Sequence, residues 1–216
     1  MNKNLILNIA VAVFAVTAII CISVTITVLF RPLYYMDIDY LNIADNTDMS
    51  YEDVKLNYDT LIDYNVIGGP SELRFPDFNM SIQGKIHFEE VKDIFIAMQE
   101  ISIIAILLFI IWAAINIKGK KPPYVWMKFT AIVAAAVSAV VGCAVMIDWN
   151  WAFTMMHKIF FRNDYWIFSE VTDPVIKILP DRFFLHCGIM IIVLILLQIV
   201  ALQFIYRRLK NERNDI

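Results

Sequence analysis

Three histidines lie among aromatic and acidic residues in this 216-residue chain and are its best candidates for proton-transfer chemistry. Imidazole has an ordinary pKa of about 6.5, so it can take or give a proton near neutral pH. His87 is followed by Glu90, which shares its face in a helix. His157 stands seven residues before Asp164, so a continuing helix would let that carboxylate orient the imidazole. The two histidine segments therefore indicate general acid–base catalysis.

Other interpretations of the same residues remain open. A single histidine beside aromatic residues often has only a structural role, in which it packs or forms a hydrogen bond. His87, Glu90, His157 and Asp164 could instead supply four zinc ligands, although the chain has no His-Glu-x-x-His motif. The three cysteines, at positions 21, 143 and 187, lie within or beside apolar runs and are interpreted as small hydrophobic residues. Without a Gly-x-Ser-x-Gly motif either, the sequence predicts no serine or cysteine nucleophile.

The elements that must position these histidines are membrane helices. Hydrophobic residues make up 60% of the chain and charged residues 18%, with a mean hydropathy of +0.64; soluble domains have about 45–50% apolar and about 25% charged residues. Four apolar runs are each long enough to span a bilayer as a helix, at about 5–30, 94–117, 125–147 and 183–206. The first run is too long for a cleaved signal peptide and is interpreted as a signal anchor. We expect one all-α integral membrane domain over 1–216.

The basic residues predict the orientation of the helices. Segment 31–94 has 5 basic and 13 acidic residues, whereas the 117–128 connection has Lys118, Lys120, Lys121 and Lys128 and no acid. The tail 207–216 has 4 basic and 2 acidic residues. Positive charge beside membrane spans stays in the cytoplasm. The sequence therefore predicts both termini on the cytoplasmic side of a plasma membrane and all three histidines on its outer side.

The two outer segments, 31–93 and 148–182, predict a small cap at the membrane interface. Ser50 followed by Asp53 has the spacing of a helix cap and predicts a helix to about Asp63. The aromatic stretch from Trp149 to Phe161 is too short to span and favours an interfacial helix. From about His87 a helical pattern continues into the second span. There Glu100 either reaches interfacial water or lines a cleft under the cap.

Three motifs carry a family resemblance. They are Ile86-His-Phe-Glu-Glu-Val-Lys92, Met156-His-Lys-Ile-Phe-Phe-Arg-Asn-Asp-Tyr-Trp166, and Thr172-Asp-Pro174 followed by Leu179-Pro-Asp-Arg-Phe-Phe184. Together with the chain length and the four-helix layout, they resemble the lipoprotein intramolecular transacylases. The resemblance implies an acyltransferase that moves the sn-2 acyl chain of a diacylated lipoprotein in Gram-positive bacteria. The chain would pass to the α-amino group of the N-terminal cysteine, leaving a lyso-form lipoprotein.

The resemblance also implies a role for two of the histidines, and the residues around them add further expectations. His87 and His157 match the catalytic histidines of the family, and which is base and which acid stays open. Supporting roles are expected for Glu90, Asn163 and Asp164, and substrate contacts for Phe88, Glu100, Phe160, Phe161 and Trp166. No metal or cofactor is expected, and the net charge of −3 gives no reason to expect a nucleic-acid partner. The partners implied are the lipoprotein and membrane lipid. A zinc-dependent membrane hydrolase and a scaffold without chemistry are the alternatives.

Overall fold

A computed structural model describes residues 3–116 and 124–214. Those residues form helices and contain no β-strand. In chain order the helices are α1 (Lys3–Leu29), α2 (Arg31–Tyr40), α3 (Ile43–Thr47), α4 (Tyr51–Tyr64), α5 (Ile82–Asn116), α6 (Val125–Ile147), α7 (Trp149–Phe160), the short 3-10 helix η1 (Pro174–Ile178) and α8 (Asp181–Asn214).

Four of these helices, α1, α5, α6 and α8, are long and apolar enough to cross a membrane. Many of their large apolar side chains, among them Leu107 and Ile111, are exposed, as expected where lipid covers a helix surface. The predicted four-helix membrane fold is therefore confirmed. The predicted second span ends at residue 117, which, with Lys118, Lys120 and Lys121, lies outside the described residues.

Helix α1 is the centre of the membrane bundle. It packs against α5, α6 and α8, and α6 also packs against α8. Two polar contacts cross these interfaces: Gln198 Nε2 donates to Ser23 Oγ at 2.8 Å, and the hydroxyls of Thr25 and Ser102 lie 3.3 Å apart. Helix α5 packs closely on α1 but not on α6 or α8. It is thus held to the bundle along one side.

Helices α2, α3, α4 and η1, with the segments that connect them, form a cap at one end of the bundle. We call this the cap end, and the opposite end, where α5 and α6 are connected, the loop end. The rings of Tyr34 and Tyr58 stack 3.7 Å apart in the core of the cap, and Tyr34 Oη donates to the carbonyl oxygen of Ile178 at 2.6 Å. The predicted helix cap is confirmed, since Ser50 Oγ accepts from the backbone N–H of Asp53 at 3.1 Å.

Helix α5 begins at Ile82, before the apolar run, so its first turns lie in the cap. Ser81 Oγ accepts from the backbone N–H of Gly84 at 2.9 Å and caps this helix. The Ser81 N–H in turn donates to Oδ1 of the buried Asp173, at 2.8 Å. Asp173 therefore ties the start of α5 to the second cap segment.

Gly84 is the residue that permits this close approach. A Cβ at this position would lie 2.2 Å from Asp173 Oδ1, which is far too close for two non-bonded atoms. Replacing Gly84 with alanine is expected to separate α5 from Asp173, with a loss of roughly 1–3 kcal/mol in the free energy of unfolding. Thermal unfolding in detergent measures the loss. The matched control is Gly188→Ala in α8, where a Cβ meets no atom within 4 Å. Equal unfolding temperatures for the two variants would contradict this role of Gly84.

Candidate active site

Two of the three histidines meet at the boundary between the cap and the membrane bundle. His87 lies in the second turn of α5 and His157 in the last turn of α7. The centroids of their rings are 6.0 Å apart. Both are largely buried, with 6% and 8% of their surface exposed. The fold thus brings together two imidazoles that are 70 positions apart in the chain.

His157 is held by a backbone contact and an aromatic stack. Its Nδ1 lies 2.9 Å from the carbonyl oxygen of Phe153, one turn earlier in α7. Because a carbonyl oxygen only accepts, Nδ1 carries the hydrogen, and Nε2 of the neutral ring is left with a lone pair. The ring of Trp166 stacks on the imidazole at 4.6 Å, and the ring of Phe153 lies at 4.2 Å. Burial lowers the pKa of His157, although the Phe153 carbonyl opposes this by favouring the charged ring.

His87 lies against aromatic rings on several sides. The centroids of Phe161 and Phe168 are 4.7 and 5.4 Å from its own, and that of Phe88 is 5.9 Å away. Its Nδ1 is fully buried and has no hydrogen-bond partner among the described residues. Leaving a buried polar atom unpaired costs about 1–3 kcal/mol. Such an atom is available to a bound substrate.

Glu90 and Asn163 connect the two histidine segments. Both carboxylate oxygens of Glu90 accept from Asn163 Nδ2, at 2.9 and 3.2 Å. The Asn163 backbone carbonyl accepts from Trp166 Nε1 at 3.1 Å. One chain of hydrogen bonds therefore runs from α5 to the ring that stacks on His157.

Removing the Asn163 amide should loosen this connection. In Asn163→Ala we expect the catalysed rate to fall by roughly 10- to 100-fold, because a displacement of about 1 Å at a reacting group has effects of this size. The matched control is Asp164→Ala, since Asp164 is the exposed neighbour. Initial rates of both variants, compared with their unfolding temperatures, check the prediction. Equal rates in the two variants would exclude a positioning role for Asn163.

Two predicted contacts are wrong. Asp164 does not orient His157, because α7 ends at Phe160 and the chain turns, leaving Asp164 exposed and the Phe153 carbonyl against the imidazole. Glu100 does not line a cleft beside the histidines. It is 13 residues from His87, about 3.6 turns of helix, so it lies on the opposite side of α5 and is exposed.

Of the predicted aromatic contacts, Phe88, Phe161 and Trp166 lie beside the histidines. Phe160 is 50% exposed, whereas its neighbour Phe161 is 8% exposed and its ring contacts both imidazoles. Sequence reasoning did not assign Phe153 or Phe168 to the site. Phe153 could have been found, because it precedes His157 by one helical turn. Phe168 reaches His87 only through the turn that follows α7.

The third histidine belongs to a different contact. His186 Nδ1 lies 2.8 Å from both carboxylate oxygens of the buried Asp37, which joins the start of α8 to α2. The four residues considered as zinc ligands do not form a metal site either. In residues 3–116 and 124–214, no group of three or more histidine, cysteine, aspartate or glutamate side chains is placed to hold a metal ion.

Comparison with known proteins relates this site to a family. The family model for the lipoprotein intramolecular transacylase Lit matches residues 9–184. The solved structure of the membrane-integral Lit from Bacillus cereus is 29% identical, with a TM-score of 0.89, over 99% of this chain and 98% of that chain. Structures of the same protein with one histidine replaced match with TM-scores of 0.82 for the arginine variant and 0.83 for the alanine variant. A comparison with curated proteins gave no match.

The fold, the paired histidines and these matches define an integral membrane enzyme of the transacylase class. The family match covers most of the chain, so the chain belongs to the lipoprotein intramolecular transacylase (Lit) family.

Proposed function

We propose that this enzyme moves the sn-2 acyl chain of a diacylglyceryl lipoprotein onto the α-amino nitrogen of its N-terminal cysteine. The nitrogen attacks the ester carbonyl carbon, a C–N bond forms, and the bond to the sn-2 oxygen breaks. One proton passes from the nitrogen to that oxygen, so no other reactant is needed. The products are an amide and a free hydroxyl on the glyceryl group of the same molecule.

His157 is the proposed general base. With Nδ1–H held by the Phe153 carbonyl, its Nε2 lone pair is free to take the proton from the attacking amine. Burial lowers the pKa of His157, so the ring is neutral and ready to accept a proton at pH 7. The imidazolium formed then gives its proton to the departing sn-2 oxygen, in the way a histidine acts twice in acyl transfer.

His87 is the proposed hydrogen-bond donor to the glyceryl side. It lies across the site from His157, with ring centroids 6.0 Å apart, and its buried Nδ1 has no partner among the described residues. As a neutral ring it can donate one N–H to the negative charge that develops on the ester oxygens. Such donors are most effective in a buried site, where water does not screen them.

Intramolecular transfer also requires no nucleophile from the enzyme. The ester and the amine belong to one molecule, so the enzyme has to fold the substrate and need not carry the acyl group. Positioning of this kind can contribute about 7–11 kcal/mol in favourable cases. The aromatic rings around the histidines, Phe88, Phe153, Phe161, Trp166 and Phe168, would exclude the water that otherwise hydrolyses the ester.

The proposed location of the reaction is the outer leaflet. The basic residues at the loop end, including Arg207, Arg208 and Lys210, favour a cytoplasmic loop end and an extracytoplasmic cap end. The amine and ester of a lipid-anchored lipoprotein lie at the outer membrane surface, at the level where the cap meets the bundle.

The observation that carries the proposal is the pair of buried imidazoles in an aromatic pocket of a Lit-family chain. Mass spectrometry of the N-terminal peptide of a host lipoprotein, with and without this protein expressed, tests it. Expression should move one acyl chain from the glyceryl group to the nitrogen at constant total mass. A loss of one acyl chain from the peptide would instead indicate a hydrolase, and an unchanged peptide would indicate a scaffold.

A further inference from the structure

Helices α5 and α6 are consecutive antiparallel helices that contact each other through a tryptophan pair at the loop end. At the loop end the rings of Trp112 and Trp126 meet edge to face, with centroids 5.9 Å apart. Along the rest of their length the two helices do not pack closely on each other, although both pack on α1. At the cap end α7 follows α6 and brings His157 next to His87. Between the tryptophan contact and the histidine pair, the facing sides of α5 and α6 are therefore not closed by packing of the two helices on each other, while α1 packs on both. We call these facing sides the cleft.

The α5 side of this cleft is one apolar stripe. Starting from His87, residues at alternating spacings of four and three share a face of the helix. They are Val91, Ile94, Met98, Ile101, Ala105, Leu108 and Trp112. The stripe ends at Trp112, which is the residue that contacts α6. His87 is its one polar member, and it lies at the mouth.

The α6 side is a matching stripe that starts from Trp126. Counted in the same way, the positions on the Trp126 face are Thr130, Val133, Val137 and Val140. Thr130 is fully buried, and its hydroxyl donates to the Trp126 carbonyl oxygen. All three valines are exposed, and Val140 has 71% of its surface free. Because the two helices are antiparallel and meet at Trp112 and Trp126, Val140 lies at about the level of Met98. That level is about 16 Å from His87 along α5.

We infer that this cleft binds the hydrocarbon tail of the sn-2 acyl chain during transfer. The inference rests on the proposed function, which puts the ester carbonyl between the two histidines. The tail is bonded to that carbonyl carbon, so it must leave from the same point, and the cleft begins there. The exposed side chains of its walls, such as Leu108 on α5 and Val140 on α6, are apolar, as an acyl chain requires. The open side between α5 and α6 also lets a substrate enter sideways from the bilayer without leaving it.

Chain-length selectivity tests this assignment. Two lipopeptides with the same sn-1 chain, one with a hexanoyl and one with an octadecanoyl sn-2 chain, compete for the purified protein in lipid vesicles. Ile94→Trp narrows the cleft about 10 Å from His87, beyond the reach of the short chain. We expect the ratio of long-chain to short-chain conversion to fall about tenfold or more. Val140→Phe, on the facing helix, should lower the same ratio.

The matched control is Ile103→Phe, on the side of α5 turned away from the cleft and 51% exposed. It should leave the ratio unchanged. Because both substrates meet the same protein sample, the ratio does not depend on how much of a variant folds. An unchanged ratio in both cleft variants, or an equal change in Ile103→Phe, would overturn the inference while the proposed function stands. If the unsubstituted protein converts neither lipopeptide, the proposed function itself fails.

A photoreactive group at the end of a long sn-2 chain gives a second measurement on the unsubstituted protein. Its cross-links should fall on the stripe of α5 or α6, near Met98 or Val140. Cross-links confined to other helix faces, or to a second copy of the chain, would contradict binding in the cleft.

Discussion

Replacing His157 with alanine is expected to lower the rate of acyl transfer by roughly 10²- to 10⁴-fold, the usual contribution of a general base. His157 is the ring whose tautomer is fixed by a backbone carbonyl, so its Nε2 is the proton acceptor beside the substrate. His87→Ala should lose a comparable factor through the missing donor. Initial rates of the purified variants in vesicles, with a synthetic diacylglyceryl lipopeptide, measure both effects.

The third histidine gives the matched control. His186 also lies at the cap end and also has a polar partner, Asp37, but it is outside the aromatic pocket. In His186→Ala the transfer rate per folded molecule should stay near that of the unsubstituted protein. If His157→Ala transfers acyl chains at a rate within about threefold of the His186 control, His157 is not the base. Because His87 and His157 act on one transition state, the double variant should be little worse than the slower single variant.

The pH dependence of the reaction should report two protonations in a fixed order. The substrate amine must be neutral, and α-amino groups have pKa values of about 7.7–8.0. His157 must also be neutral, and burial lowers its pKa, so it is protonated only below the ordinary imidazole range. As pH falls below about 7.7, kcat/KM should drop about tenfold per pH unit. By pH 6.5 this first protonation alone should have lowered kcat/KM by more than 10-fold. Only below pH 6.5 should the second protonation make the drop steeper, at about 100-fold per pH unit.

Exposing the His157 ring to water should raise its pKa and so shift the second protonation to higher pH. Trp166→Ala removes the ring stacked on the imidazole, and because burial is the largest cause of the lowered pKa, the steep region should start at higher pH. A profile for the unsubstituted protein that is already steep above pH 6.5 would contradict a His157 pKa lowered by burial. If the steep region starts at the same pH in Trp166→Ala as in the unsubstituted protein, burial by the Trp166 ring does not lower the pKa of His157.

The membrane fold could be predicted because its cause is local. Four runs of about 20 apolar residues each have one stable arrangement in a bilayer, and the helix cap at Ser50 depends on a residue three positions away. The two histidine segments could also be recognised from their residue types. These features follow from neighbours in the chain, so a single sequence is enough to find them.

Contacts between distant segments could not be predicted in this way. Whether Asn163 or Asp164 contacts the His87 segment depends on where α7 ends. It ends at Phe160, and the next residue, Phe161, is extended and packs against His87 on a distant segment. The bond from Ser81 to Asp173 joins residues 92 positions apart, and the need for Gly84 follows only from that approach. The sequence left two positions open for Glu100, and the structure shows the exposed one. The choice depends on which side of α5 faces α1, where Ser102 contacts Thr25.

Transfer within one molecule can be tested most directly by a crossover measurement. One lipopeptide carries heavy isotopes in both the peptide and the sn-2 chain, an otherwise identical one carries neither, and the two are mixed with the purified protein in vesicles. Intramolecular transfer predicts N-acylated products in which the heavy peptide bears only the heavy chain and the light peptide only the light chain. Heavy peptide bearing a light amide-linked chain, or sn-2 label released as free fatty acid, would contradict it.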